Sequence, residues 1–235
     1  MNAERTRLYL LDVEGTVAPL TLTSEVLFPY ARAHFAEFLR KHELDTVVRA
    51  DLAQLSKENL ADVEAPQSSD GSIDSALDYL LWLMDRDRKS TALKSLQGRI
   101  WKSGFESGEL KGALFADVPA AFARWSQAGR IAIYSSGSVE AQQLLFRYSN
   151  FGDLTSLISG YFDTRTGPKR ASASYATIAA ALGAAPDELL FFSDVVEELD
   201  AARAAGCGTQ LVVRPGNLPV ENPNGHERIE SLENI

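Results

Sequence analysis

This sequence has little cysteine and no long apolar run, and each shortage excludes a class of protein. Cys207 is the only cysteine among 235 residues, so the chain can form neither an internal disulfide nor a cysteine-rich metal site. No apolar run approaches the roughly 20 residues that span a bilayer, and the first residues lack the pattern of a signal peptide. We therefore expect a cytoplasmic protein without a membrane segment.

Basic residues are also in short supply, which argues against one kind of partner. The chain has 23 lysine and arginine residues against 32 aspartate and glutamate residues, for a formal net charge of −9. Broad binding to nucleic acid needs a basic surface, so we expect no nucleic-acid partner. A phosphorylated small molecule is not excluded, because a metal ion and a few local cations can bind it.

What the sequence does contain is an alternation of strand and helix patterns around a long helical stretch. The nearly continuous apolar run at residues 7–12 is typical of a parallel strand that is covered on both faces. From about residue 117, helix patterns alternate with the strand patterns RIAIY, ELLFF and GTQLVV, and we expect the last of these to be the final strand. This order predicts the α/β class, with a doubly wound, Rossmann-like parallel sheet.

The stretch between these strand patterns predicts a second domain. Helical spacing recurs over residues 24–42, 72–87 and 92–108, and no strand pattern interrupts it. We therefore expect an all-helical cap domain, residues 20–110, inserted after the first strand. The α/β core would then comprise residues 1–19 and 111–235.

Polar side chains that can carry chemistry follow three of the predicted strands and lie in one loop. They are Asp12, Glu14, Ser135, Ser136, Lys169 and Asp194. In open parallel sheets, ligands bind beyond the carboxyl ends of the strands. The candidate residues therefore stand where a ligand site is expected.

The residue types in this set suit the hydrolysis of a phosphate ester. Carboxylates such as Asp12 and Asp194, brought together at adjacent strand ends, suit Mg²⁺, which prefers oxygen ligands and keeps several waters. An aspartate can attack phosphorus, and a second acid such as Glu14 can protonate the leaving oxygen and then activate water. Lys169 and the serine hydroxyls can bind the phosphoryl oxygens.

Each motif alone has a simpler interpretation. Asp12 and Glu14 could form a turn, the serine pair could lie in a turn, and Lys169 could be a solvated surface lysine. Asp194 with Glu197 also resembles a capping box at the start of a helix. The joint occurrence of all four motifs in one chain favours a site over four independent coincidences.

The four motifs, DVEGT, SSG, a lysine and SD, resemble those of the haloacid dehalogenase superfamily of phosphohydrolases. Longer strings are similar to one family within it, the enolase-phosphatases or acireductone synthases: FADVPAAFARW, IYSSGSVEAQQLLF, YFDT and VVRPGN. The resemblance runs from about residue 7 to residue 217. It implies a haloacid dehalogenase-like core with a helical cap that closes over the site.

The resemblance also implies a role for each candidate residue. Asp12 would be a metal ligand and the nucleophile, and Asp194 would be a further ligand of one Mg²⁺ per subunit. Glu14 would bind the metal through its backbone carbonyl and supply the acid/base carboxylate. Glu198 would contact residues of the site without binding the metal itself. The remaining candidates would bind the substrate and its phosphate: Ser135, Ser136 and Lys169.

By the same resemblance, the substrate is a small-molecule phosphate ester, 2,3-diketo-5-methylthiopentyl 1-phosphate. It would be enolised and then dephosphorylated to an acireductone in methionine salvage. Together with the negative net charge, the resemblance favours a monomer. Three alternatives stay open: a capped phosphatase of another small ester, a receiver-like signalling module with a phosphorylated aspartate, and an inactive scaffold.

Overall fold

The structure is a computed structural model that describes residues 8–67 and 71–235. Within these residues, six strands form one sheet in the order β3-β2-β1-β4-β5-β6, and all neighbouring strands are parallel. The strands are β1 (Leu8–Leu11), β2 (Arg130–Tyr134), β3 (Gly160–Phe162), β4 (Leu189–Ser193), β5 (Gly208–Val212) and β6 (Glu227–Ile229).

Eight α-helices lie in the described part of the chain. They are α1 (Phe28–Lys41), α2 (Thr46–Ala61), α3 (Ile73–Asp85), α4 (Thr91–Ser107), α5 (Val118–Ala128), α6 (Val139–Arg147), α7 (Ser172–Ala181) and α8 (Val196–Ala204). A π-helical turn, Leu22–Leu27, precedes α1. None of the helices in the described ranges is both long enough and apolar enough to cross a bilayer.

The chain divides into two compact units. One unit comprises the chain up to Leu22 together with Lys111–Ile235, and it contains the whole sheet and α5 to α8. The other unit, Thr23–Leu110, contains α1 to α4 and no strand among its described residues. The predicted fold class, a parallel α/β sheet with an inserted helical region, is therefore confirmed.

Helices cover both faces of the sheet, as the apolar strands predicted. Trp125 of α5 stacks on Tyr9 of β1, with ring centroids 4.6 Å apart, and on Phe192 of β4. Leu10 and Phe191, the neighbours of these two strand residues, point to the opposite face and pack in a cluster that α7 and α8 complete. Because successive strand side chains alternate between faces, the central strands β1 and β4 are covered on both sides.

Three elements escaped the sequence patterns. Helix α2 was not predicted, because its apolar residues do not form one stripe: Val47 and Leu60 are exposed. Strands β3 and β6 have three residues each, too few for a pattern of period two to be recognised. The expectation that GTQLVV forms the final strand is wrong, since β6 follows β5 and extends the sheet.

Candidate active site

Two of the candidate carboxylates follow adjacent strands at the same edge of the sheet. Asp12 comes directly after β1, and Asp194 comes directly after β4. The two strands pair in parallel, and the Asp12 amide extends the pairing by donating to the Phe192 carbonyl at 3.0 Å. Because parallel strands share one carboxyl edge, both acids leave the sheet on the same side.

The residues after Asp12 form a tight loop that is closed on itself. The carbonyl of Val13 accepts bonds from the amides of Thr16, Val17 and Ala18, at 3.2, 2.9 and 2.9 Å. This loop turns the backbone sharply at Gly15, which has φ +72°.

Gly15 lies directly against the second acid. A Cβ atom on Gly15 would lie 2.3 Å from Asp194 Oδ2, which is closer than any side chain can approach. Both the left-handed backbone and this close approach require glycine. The Asp194 carboxylate therefore packs against the loop that carries Asp12 and the half-buried Glu14.

Lys169 joins the site as the counter-charge of two acids. Its Nζ atom lies 2.7 Å from Asp12 Oδ1 and 2.7 Å from Glu198 Oε2, and its side chain is 10% exposed. Burial disfavours the ammonium ion, but the charges of Asp12 and Glu198 outweigh burial and raise the pKa of Lys169. Lys169 is therefore held as a cation beside Asp12.

Three hydroxyl groups hold the loop from which Lys169 projects. Tyr134 Oη donates to the carbonyl of Gly167 at 2.8 Å, and Ser174 Oγ donates to that of Pro168 at 2.8 Å. Tyr175 Oη donates to the carbonyl of Lys169 itself at 2.6 Å. The lysine therefore reaches the acids from a backbone that is fixed at three consecutive residues.

The site carries more negative than positive charge. Burial, and after it the charge of Asp12, raises the pKa of Asp194 to about 7. Burial and the charge of Asp12 also raise the pKa of Glu198, against the opposing effect of Lys169. Asp12, Asp194 and Glu198 thus share one ammonium group, and a further cation would relieve their repulsion.

The donor set fits Mg²⁺ as that cation. Mg²⁺ binds through one or two carboxylates and retains waters, so it does not need a cage of protein ligands. In the part of the chain that the structure describes, no group of three His, Cys, Asp or Glu side chains is arranged to hold a metal. Two carboxylates, those of Asp12 and Asp194, together with a backbone carbonyl of the loop would suffice for Mg²⁺ without a third acidic side chain.

The two candidate serines follow β2, on the other side of β1. The β2 register pairs Leu11 with Ile133, so Ser135 lies at the same edge as Asp12. Ser135 is buried, its amide donates to the Phe162 carbonyl, and its hydroxyl accepts from the Gly137 amide at 3.2 Å. That hydroxyl contact is of the kind expected of a turn, while Ser136 is exposed.

One alternative from the sequence does not hold for Asp194. Helix α8 has Val195 as its N-cap residue, and no side chain caps it through a hydrogen bond. The capping box suggested by Asp194 and Glu197 is therefore not formed. The Asp194 carboxylate lies against Gly15 instead.

Sequence reasoning assigned no role to two residues that contact the loop after Asp12. Arg214 Nε donates to the Thr16 carbonyl at 2.9 Å, and Asn217 Nδ2 donates to the Gly15 carbonyl at 2.9 Å. Both residues belong to the string VVRPGN, one of the strings that carry the family resemblance. A residue that binds a backbone carbonyl leaves no further pattern in the sequence.

Comparison with known proteins identifies the family. A family model described as haloacid dehalogenase-like hydrolase matches residues 6–206. The chain belongs to the haloacid dehalogenase-like hydrolases. It is also 56% identical over 215 residues to a protein of Synechococcus elongatus named Enolase-phosphatase E1, covering 90% of each chain.

Two further relatives of this hydrolase cover nearly its whole length. A protein of Leptospira borgpetersenii, also named Enolase-phosphatase E1, is 47% identical over 229 residues, which are 97% of each chain. The crystal structure of the UTR4 protein of Saccharomyces cerevisiae superposes with a TM-score of 0.83 at 36% identity, over 98% of this chain and 100% of that one. The chain therefore belongs to the enolase-phosphatase family among these hydrolases.

Proposed function

We propose that this protein is a magnesium-dependent enolase-phosphatase of methionine salvage. Its substrate would be 2,3-diketo-5-methylthiopentyl 1-phosphate, which is enolised and then hydrolysed to 1,2-dihydroxy-3-keto-5-methylthiopentene and phosphate. The observation that carries the proposal is the ion pair of Lys169 with Asp12 and Glu198, beside Asp194. The near full-length similarity to proteins named Enolase-phosphatase E1 supports the same reaction.

Asp12 is the proposed nucleophile. Its Oδ1 atom accepts a bond from the Val13 amide at 2.7 Å and pairs with Lys169 Nζ. Because both contacts use Oδ1, we assign the attack on phosphorus to the other carboxylate oxygen, Oδ2. Lys169 offsets the charge of Asp12, so that a phosphate dianion can approach it.

Glu14 is the proposed acid and base. As Asp12 Oδ2 bonds to phosphorus, the ester P–O bond breaks and the Glu14 carboxyl group gives its proton to the leaving oxygen. In the second step Glu14 takes a proton from water, the water oxygen bonds to phosphorus, and the bond to Asp12 breaks. Asp12 is then restored and phosphate leaves.

The remaining candidates would hold the metal and the substrate. Asp12, Asp194 and the Glu14 carbonyl would bind one Mg²⁺, which would screen the phosphate charge and polarise a substrate carbonyl. Lys169 and the hydroxyls of Ser135 and Ser136 would bind phosphoryl oxygens.

The helical unit Thr23–Leu110 is the proposed cap, which would exclude water on closing. The predicted bounds of the cap, residues 20–110, stay a prediction of the sequence. The same holds for the monomeric state and the cytoplasmic location of the protein.

The decisive experiment supplies the diketo phosphate with and without Mg²⁺ and follows enol absorbance and free phosphate separately. We expect enol formation followed by phosphate release, both dependent on Mg²⁺. Phosphate release without an enol would indicate a phosphatase of another small ester. A phosphorylated Asp12 that persists without turnover would indicate a signalling module.

A further inference from the structure

The connection that follows β5 contacts the catalytic loop from behind. Arg214 is almost fully buried, with a side chain that is 4% exposed. Its guanidinium group donates to the Thr16 carbonyl at 2.9 Å, to Asp117 Oδ2 at 2.8 Å and to the Glu230 carbonyl at 3.1 Å. One side chain thus links the loop after β1 to two other parts of the core.

Asp117 holds this guanidinium group in place. Besides Arg214, its Oδ2 atom accepts bonds from the Leu232 amide at 2.7 Å and from Ser231 Oγ at 3.2 Å. Burial opposes the charge of Asp117, but the bonds from Arg214 and Leu232 outweigh burial and lower its pKa. Arg214 therefore has a fixed anchor, and its Nε is aimed at Thr16.

Asn217 makes a second contact with the same loop, independent of the ion pair. Its side-chain amide donates to the Gly15 carbonyl at 2.9 Å, and its backbone amide donates to the Arg214 carbonyl at 3.1 Å. The Asn217 bond thus orients the peptide group of the residue that packs against Asp194. An ion pair that only stabilised the core would not need this contact.

Two consecutive carbonyl groups, those of Gly15 and Thr16, are therefore fixed from outside the loop. They directly follow Glu14, whose carbonyl and carboxylate belong to the proposed metal and acid/base machinery. A rotation of either peptide group would move Glu14 relative to Asp12 and Asp194. Groups that orient metal ligands without touching the metal commonly change its affinity 10- to 100-fold when they are removed.

We propose that Arg214 and Asn217 are positioning residues that hold the Gly15–Thr16 backbone in the geometry needed for Mg²⁺ binding and phosphoryl transfer. The inference rests on the proposed function, because it assumes that this loop carries the metal and the nucleophile. It assigns neither residue a contact with the substrate or with the metal.

The test compares Asn217→Ala with Asn222→Ala, which removes an exposed asparagine of the same connection whose side chain accepts a turn bond from the Asn224 amide. Titration calorimetry with Mg²⁺ alone, without substrate, measures the metal Kd. Steady-state kinetics and thermal unfolding are measured on the same proteins. We expect Asn217→Ala to raise the Kd for Mg²⁺ about tenfold. We also expect it to lower kcat with little change in KM, at a temperature where the variant is fully folded.

A second pair tests the guanidinium group. Arg214→Lys keeps the charge but cannot donate to three acceptors in a fork, so we expect weaker Mg²⁺ binding and a lower kcat. Arg203→Lys is the control, because Arg203 is an exposed arginine that also donates to a carbonyl, that of Asn224, and to a carboxylate, that of Asp200. If Asn217→Ala does not fold, the comparison of Arg214→Lys with Arg203→Lys still tests the positioning role.

The outcomes separate the inference from the proposed function. The positioning role would be overturned if the Asn217 and Arg214 variants had a lower Tm, but a Kd for Mg²⁺ and a kcat that changed no more than in the control variants. If the wild type binds Mg²⁺ but does not hydrolyse the diketo phosphate, the substrate assignment fails. The comparison of Kd values for Mg²⁺ still decides whether Arg214 and Asn217 are positioning residues. A wild type that binds no Mg²⁺ overturns both.

Discussion

Lys169 Nζ lies 2.7 Å from Asp12 Oδ1, so the proposed nucleophile has its counter-charge beside it without any ligand. The same ammonium group contacts Glu198 at 2.7 Å. Such a buried arrangement is sensitive to the loss of its cation, because both carboxylates would then lose their compensation. Activity and stability are therefore expected to respond differently when its nucleophile and its cation are removed.

Asp12→Asn is expected to remove phosphate release while leaving a folded protein. The protein is expected to fold because Lys169 keeps Glu198 as a partner. Because the amide cannot attack phosphorus, we expect kcat to fall at least about 1000-fold. Phosphate release and circular dichroism measure the two effects, and Asp187→Asn at an exposed position is the control. Substantial turnover by Asp12→Asn would remove the nucleophile assignment.

Lys169→Met is expected to impair both activity and stability. The carboxylates of Asp12 and Glu198 would be left buried without their cation, which destabilises the fold by about 3 kcal/mol. Urea unfolding in EDTA measures this loss. The control is Arg170→Met, because Arg170 is an exposed neighbour that reaches Glu197 only at 4.0 Å. Equal losses in the two variants would argue against the buried ion pair.

Gly15→Ala is expected to disrupt the site beyond the ordinary cost of its backbone conformation. A left-handed alanine costs about 1 kcal/mol, and its Cβ would also collide with the Asp194 carboxylate. Gly152→Ala is the matched control, because Gly152 has φ +89° and no atom within 4 Å of an added Cβ. We expect only Gly15→Ala to weaken Mg²⁺ binding in a titration, and equal effects would contradict the close approach of Asp194.

Asp117→Asn is expected to change how stability depends on pH. Because the folded-state pKa of Asp117 is lowered from 3.8, its ionised form stabilises the fold above that value. This stabilisation is lost as the pH falls through the folded pKa. We expect the variant to be less stable by about 3 kcal/mol at pH 7.

The difference between the wild type and Asp117→Asn should therefore shrink below pH 4. Urea unfolding at pH 7, 5 and 3 measures it, with Asp187→Asn as the control. A difference that stays constant across this range would show that Asp117 does not stabilise the fold through its charge.

Much of the fold could be predicted because its signals are local. An apolar run that ends in an acid, as at Asp12 and Asp194, indicates a buried parallel strand followed by a polar edge. Helix α5 was readable from the apolar face of Val118, Phe122 and Trp125, and the structure buries all three. Helix α2 and strands β3 and β6 were not readable, because α2 exposes apolar residues outside its buried face and each of the two strands has only three residues.

The sequence by itself determined which residues carry charge and hydroxyl groups, and which of them follow apolar runs. Only the tertiary structure decided that Lys169 pairs with both Asp12 and Glu198, and that Arg214 and Asn217 hold the carbonyls of the catalytic loop. The physical reason is that every residue offers a backbone carbonyl. The choice among them is made by where the folded chain brings a donor, and a linear pattern does not contain that distance.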